Sequence, residues 1–327
     1  MRIQPIDLDD RTDDDLIKGL YDTYVAAVAA EDPGPRLSLA RFRRDVCSHT
    51  PGERAEVWVA VEDGAVAGGY ALSLAQLDNT HMGWLFPLAV RPDRARHGLG
   101  SALFEHAVER MRTHGRRLLL TETPVEGSGA RFAHAHGMTV ALKEARRTLD
   151  LTKADWPELE RMLPRAEGYS LERWIGPAAP ELLPDLSAVM GGMNDAPRDG
   201  DLEDADFSPE RLRVHEERIP EAGETCYTTV ARRDADGAPA GYTRIYLRAD
   251  RSDHWGHQAD TTVLSEHRGR RLGLLLKLGN LLWLREHEPQ IERVITWNAT
   301  SNAHMLAINE AMGFELFDEW NEWRLAL

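Results

Sequence analysis

The feature that most restricts the fold of this chain is that it reads as one pattern written twice. The segment "VAVEDGAVAGGY" in the first half returns as "VARRDADGAPAGY" in the second. Gly100 and Gly273 lie 173 residues apart, and Gly137 and Gly313 lie 176 apart. Two separate features at nearly one offset point to duplication of a whole folding unit. The chain has 327 residues, a comfortable length for two domains.

Each half presents its elements in the same order. In the first, "RIQPID" reads as a strand, and "DDDLIKGLYDTYVAAVAA" as a helix that starts on acids. Two β-rich runs then flank Asp63-Gly64, a hairpin signal. "GWLFPLAV" reads as an apolar strand leading through "RPDRARHGLG" to the helix "SALFEHAVERMRTHG". A strand "RLLLTETP", a short helix "GSGARFAHAHG" and a closing run "MTVALKEARRTLDL" follow. The second half repeats this from "YSLERW" to "FELFDEWNEWRLAL", with its hairpin at Asp236-Gly237. The expected division is a first domain over 1–155, a linker over 156–168 carrying two prolines and many charges, and a second domain over 169–327.

Composition narrows the function. The net charge of −15 weighs against nucleic acid, whose partners carry basic surfaces, and suits a cationic small molecule. No apolar run reaches the ~18 residues of a membrane helix. Cys47 and Cys226 have no metal-like spacing, which fits a reducing cytoplasm. The expected partner is a small amine rather than nucleic acid or membrane, for a monomer or homodimer.

The stretch "SEHRGRRLGLLLK" admits two readings, a basic helix or a phosphate cradle. The charges precede the helix, while the helix itself is leucine-rich. Backbone N–H groups at a helix start attract anions, and glycine lets the chain approach them. The cradle reading is favoured for Arg268, Gly269, Arg270, Arg271, Leu272 and Gly273, after the strand end at Val263. The first half offers Arg96, His97, Gly98, Leu99 and Gly100 at the same place.

Strand, R-x-x-G-x-G-type loop, helix, strand, Asn-bearing helix and Gly-Phe ending resemble the GNAT superfamily of acyl-CoA-dependent N-acyltransferases, once per half. The pair "EHRGRRLGLLLK" and "TWNATSNAHMLAINEAMGF" carries the resemblance. It implies an α+β fold in each of two tandem GNAT-like domains: a twisted, mostly antiparallel sheet flanked by helices and splayed in the middle. Acetyl-CoA would enter the splay as co-substrate, with its pyrophosphate on the loop amides and no metal. The implied activity is transfer of an acetyl group to a primary amine of a small molecule. Two departures matter. The middle glycine of the second loop is Arg271. The tyrosine that serves many members as general acid is replaced by Ala133 and Asn309.

The remaining polar residues supply the candidates for chemistry. Asp260, on the strand feeding the second loop, is the candidate base, with Glu266 at the loop entry as its rival. Asn309 would assist the departing sulfur or hold local structure. Asn298 and Asn302 would touch the cofactor or shape turns. Asp195, Asp199 and Asp201 belong to an acid-rich segment where the resemblance puts the acceptor site; the same segment reads as a solvated loop. These features place catalysis in the second half. Catalysis in the first half, or a non-catalytic acyl-CoA-binding module, remain the competing readings.

Overall fold

The computed structural model describes residues 2–8, 13–29, 31–47 and 52–327. The chain divides into two compact units. Unit 1 comprises residues 1–142, 201–203 and 320–327, and unit 2 comprises 143–200 and 204–319.

In unit 1, β1 (Arg2–Pro5) precedes α1 (Asp14–Val28) and α2 (Leu39–Cys47), followed by β2 (Glu53–Glu62), β3 (Ala65–Ala75), β4 (Met82–Val90), α3 (Leu99–Thr113), β5 (Leu118–Pro124) and α4 (Ser128–Ala135). Strand β6 (Thr139–Asp150) leads into unit 2. There follow α5 (Trp156–Met162), β7 (Tyr169–Ile175), α6 (Leu183–Met190), α7 (Pro209–Glu221), β8 (Glu224–Arg233), β9 (Pro239–Arg248), β10 (Trp255–Val263), α8 (Leu272–His287), β11 (Arg293–Ala299), α9 (Ala303–Ala311) and β12 (Glu315–Ala326).

Both sheets are mostly antiparallel. In unit 1 the order is β1-β2-β3-β4-β5, closed by the end of β12. In unit 2 it is β6-β11-β10-β9-β8-β7. The first hairpin turns on Asp63 and Gly64, both at positive φ (51° and 78°), as a two-residue turn between right-twisted strands demands. The second hairpin is longer. Its Gly237 is at φ 72°, and Arg233 pairs with Asp236 across the turn.

Helices cover both sheet faces. In unit 1, Leu103, Ala107 and Met111 of α3 pack on Tyr70, Leu72 and Leu85. On the other face, Ile17, Leu20 and Phe42 of α1 and α2 pack on Val57 and Val59. Unit 2 repeats this with Leu278 and Leu281 of α8 on Ile245 and Leu247, and with Leu186, Val189 and Leu212 of α6 and α7 on Val230 and Tyr242. Each such fully buried aliphatic side chain contributes about 1.5–3 kcal/mol.

The division differs from the expected one. The change of unit falls at Leu142/Lys143, inside β6. Seven residues of β6 and β11 pair antiparallel, from Arg293↔Asp150 to Ala299↔Glu144. The last strand of the chain returns to unit 1, where Trp320–Ala326 pairs with Leu118–Pro124. Buried Trp323 donates its indole N–H to Thr123 Oγ1 at 2.9 Å there. The expected linker is a packed element instead. Asp155 caps α5 by accepting the Glu158 N–H at 3.1 Å, Leu159 is buried, and the Arg285 guanidinium lies 4.2 Å from the Trp156 ring centre. Its prolines and charges mark a helix start and its solvent face.

Candidate active site

The two loops after β4 and β10 share one backbone shape built from different residues. In unit 1 the left-handed positions are Arg96 (φ 66°) and Gly98 (φ 84°). In unit 2 they are Gly269 (φ 78°) and Arg271 (φ 60°). The glycine has changed place between the repeats, and each loop holds one arginine in a conformation that costs a non-glycine residue ~1–2 kcal/mol. Arg271 therefore does not break the cradle. It caps α8 as Gly98 caps α3. The first-turn N–H groups of both helices carry the positive end of the helix dipole.

Both sheets open beside these loops. Strands β4 and β5 run parallel and pair only from Met82↔Leu118 to Trp84↔Leu120. Strands β10 and β11 pair only from Trp255↔Arg293 to Gln258↔Thr296. Leu264 donates its N–H back to Ala240 at 2.9 Å. By strand alternation the N–H groups of Thr261 and Val263 then point into the gap. Such unpaired donors suit the carbonyl oxygen of an acyl donor.

A register shift between Gln258 and Thr261 marks a bulge in β10, and Asp260 sits in it. The Tyr242 hydroxyl donates to Asp260 Oδ2 at 3.2 Å. At the corresponding register shift in unit 1, between Tyr70 and Leu72, the strand carries Phe86 and Pro87. Tyr24 of α1 packs edge-on to Phe86 at 5.5 Å. The α1/α2 face of unit 1 is thus apolar at its opening, whereas the α6/α7 face of unit 2 is polar. On that face Arg244, 1% exposed, pairs with buried Glu216 of α7 at 2.8 Å and donates to Tyr246 Oη at 3.2 Å. Among the described residues its Nε and Nη2 have no hydrogen-bond partner. Burial pushes the Glu216 carboxyl up, but His215, Arg244 and the Ala178 N–H outweigh it and hold its pKa at about 2.

A model of the Acetyltransferase (GNAT) family matches residues 20–138. The chain is 30% identical to a tandem GNAT protein from the clavulanic acid biosynthesis pathway, with a TM-score of 0.82, covering 99% of this chain and 98% of that one. This chain belongs to the tandem GNAT acetyltransferases. At lower identity the fold alone is shared. A GCN5-related N-acetyltransferase from Sphaerobacter thermophilus is 15% identical with a TM-score of 0.68, over 99% of this chain and 95% of that one. A putative acetyltransferase from Pyrococcus horikoshii is 14% identical with a TM-score of 0.61, over 100% and 89%. The comparison with curated proteins gave no match.

In this tandem GNAT protein the residues expected to bind cofactor divide into two groups. Gly269, Arg270, Arg271, Leu272 and Gly273 surround the opening of α8, as do Arg96 to Gly100 at α3. Arg270 donates to the Tyr169 hydroxyl at 2.8 Å. Asn302 is committed elsewhere, because its side chain caps α9 by accepting the Met305 N–H at 3.2 Å. Asn309 is fully buried and donates to Asn298 Oδ1 at 2.6 Å. Among the described residues its own Oδ1 has no hydrogen-bond partner. The two asparagines tie α9 to the end of β11.

The expected acids also separate. Glu266 is exposed and accepts from Ser265 Oγ at 3.2 Å, so nothing brings it to the gap beside Asp260. Its carboxyl is held below the usual range by a backbone N–H and by Ser265. Asp195 pairs with Arg268. Asp199 is buried. Asp201 falls within unit 1, where Arg324 binds it and lowers its pKa. The segment is therefore not one acidic surface. Each of these acids has its own local contact.

The sequence reading missed Tyr242, Arg244 and Glu216. A signal was present in "GYTRIYL", where Tyr242, Arg244 and Tyr246 alternate on one face of an otherwise buried strand. Among the described residues no group of three or more His, Cys, Asp or Glu is placed to hold a metal ion, and no helix is long and apolar enough to cross a membrane.

Proposed function

We propose that the protein transfers an acetyl group from acetyl-CoA to a primary amine of a small molecule, with the chemistry in unit 2. The observation that carries this reading is Asp260 in the β10 bulge, where the first repeat has Pro87. The residues of the loop and splay fit an acyl-CoA: free helix N–H groups for the pyrophosphate, and the Thr261 and Val263 N–H groups for the thioester oxygen. Bound there, acetyl-CoA supplies the activated acyl group. Asp260 takes the proton from the acceptor ammonium, directly or through one water. The freed amine nitrogen bonds the acyl carbon as the carbon–sulfur bond breaks. The sulfur leaves as thiolate and takes up the second proton, which the nitrogen sheds as it becomes the amide. Tyr242 holds the Asp260 carboxylate toward the gap. Unit 1 then serves as an acyl-CoA-binding or structural partner.

A second reading rests on the family match to residues 20–138, which favours unit 1. Steady-state acetyl-CoA consumption with an amine panel, followed by Gly98→Val and Gly273→Val, separates the two. Loss of turnover in Gly273→Val alone supports unit 2. Loss in Gly98→Val alone moves the chemistry to unit 1. No turnover with any amine favours a binding module.

A further inference from the structure

Strand β6 delivers a carboxylate to the open side of unit 2. Glu144 stands opposite Ala299 in the β6–β11 register, three residues beyond Thr296, the last residue of β11 that pairs with β10. It therefore lies at the level of the splay. Strand alternation sets its face. Arg147 reaches Glu310 of α9 at 3.0 Å, so Glu144 and Arg146 project to the opposite side, away from α9. Asp260 turns to that same side, toward Tyr242 in the α6/α7 core.

Glu144 is half-buried and, among the described residues, has no hydrogen-bond or ion-pair partner. Arg146, the next residue along the same face of β6, is taken by Asp318, with Nε to Oδ1 at 2.6 Å. Burial alone raises its pKa. A partly desolvated carboxyl without a counter-charge weakens a fold, so its placement at the level where β10 and β11 part calls for a cationic ligand group.

We infer that Glu144 is an acceptor-binding residue that holds a second cationic group of the substrate, which makes the preferred acceptor an elongated diamine rather than a simple monoamine. Two strand spacings separate β10 from β6, so the two nitrogens stand about 10 Å or more apart. This rests on the placement of chemistry in unit 2.

The test measures binding, so it does not depend on turnover. The Kd values of 1,8-diaminooctane and octylamine are measured by calorimetry on the full chain saturated with CoA. The diamine should bind at least tenfold tighter than the monoamine. Glu144→Gln should remove that difference while leaving the octylamine and CoA affinities unchanged and the melting temperature no lower. Equal affinities in the wild type, no binding of either amine, or an undiminished diamine preference in Glu144→Gln would overturn the assignment. Failure of the unit 2 reading shows differently, as full turnover in Asp260→Asn.

Discussion

Arg268 and Asp195 are bound to each other: Arg268 Nη2 lies 2.5 Å from Asp195 Oδ2, while Arg268 Nε donates to Val263 O at 2.9 Å. One is the leading arginine of the loop and the other an acid expected at the acceptor site. To meet a phosphate, Arg268 must exchange partners. Both side chains are about half exposed, so the pair is worth only ~0.2–1 kcal/mol. Asp195→Ala should therefore tighten CoA binding by up to about fivefold at low salt. Arg268→Ala should weaken it about tenfold through the lost charge-assisted bond. Calorimetry at two ionic strengths reads both, and weaker CoA binding in Asp195→Ala would show that the pair pre-organises the loop.

The exchanged glycines make a test of backbone strain. Arg96→Gly and Arg271→Gly should each raise stability by roughly 0.5–1 kcal/mol, because the left-handed conformation costs nothing at glycine. Gly98→Ala and Gly269→Ala should lower it by about 1 kcal/mol. Shifts in urea midpoint at constant m-value measure each effect. A destabilised Arg271→Gly would mean that its side chain holds the loop by contact.

For Asp260, Asp260→Asn should reduce turnover by ~10²–10⁴ with CoA affinity intact. Tyr242→Phe should have a smaller effect in the same direction. If Asp260→Asn keeps more than about a third of turnover while Glu266→Gln abolishes it, the base is Glu266.

Lys277 gives a pH dependence of the same sign as acid unfolding, but in the alkaline range. It is fully buried in α8 over the Phe314 ring, 5.4 Å from its centre, and burial lowers its pKa to about 7 from 10.5. Between those values the folded chain holds a neutral amine and the unfolded chain an ammonium. Unfolding takes up a proton, so stability rises with pH across about 7–10.5 and is level below 7 for this group. The gain is on the order of 5 kcal/mol at most. Lys277→Met should flatten that slope and be more stable than wild type at pH 7. An unchanged slope in urea titrations would show that Lys277 reaches water.

Glu56 acts at the acid end. Burial raises its pKa, but Arg110 and His114, at 2.9 and 2.6 Å, outweigh this and hold it at about 2. Its stabilisation is present above the unfolded value near 4.5 and is lost as pH falls toward 2. Trp58 donates to the same carboxylate at 3.3 Å and reports the change by fluorescence. Glu56→Gln should remove that transition.

Much of the fold could be read from the chain because it depends on local signals that occur twice. The acids at the start of α1, Asp63-Gly64, and the glycine loops all act within a few residues. The swap of glycine between Gly98 and Gly269 was harder to read, because a motif names residue types while the loop requires only φ above zero at two places. The candidate site was legible at Asp260, a charge on a strand. It was not legible at Glu144, which belongs by sequence to the first repeat and by pairing to unit 2. No periodicity reports which strand a closing segment will join.

The pairing of β5 with β12 also has a consequence for synthesis. Residues 118–124 wait for residues 320–326, so the first unit to leave the ribosome is the one completed last. During translation its β5 edge stays unpaired, a template for pairing with other nascent chains. The long sequence separation slows its closure as well. A chaperone that shields β5 until the final strand arrives would raise the yield of folded protein, and a fragment ending at residue 155 would aggregate through that edge.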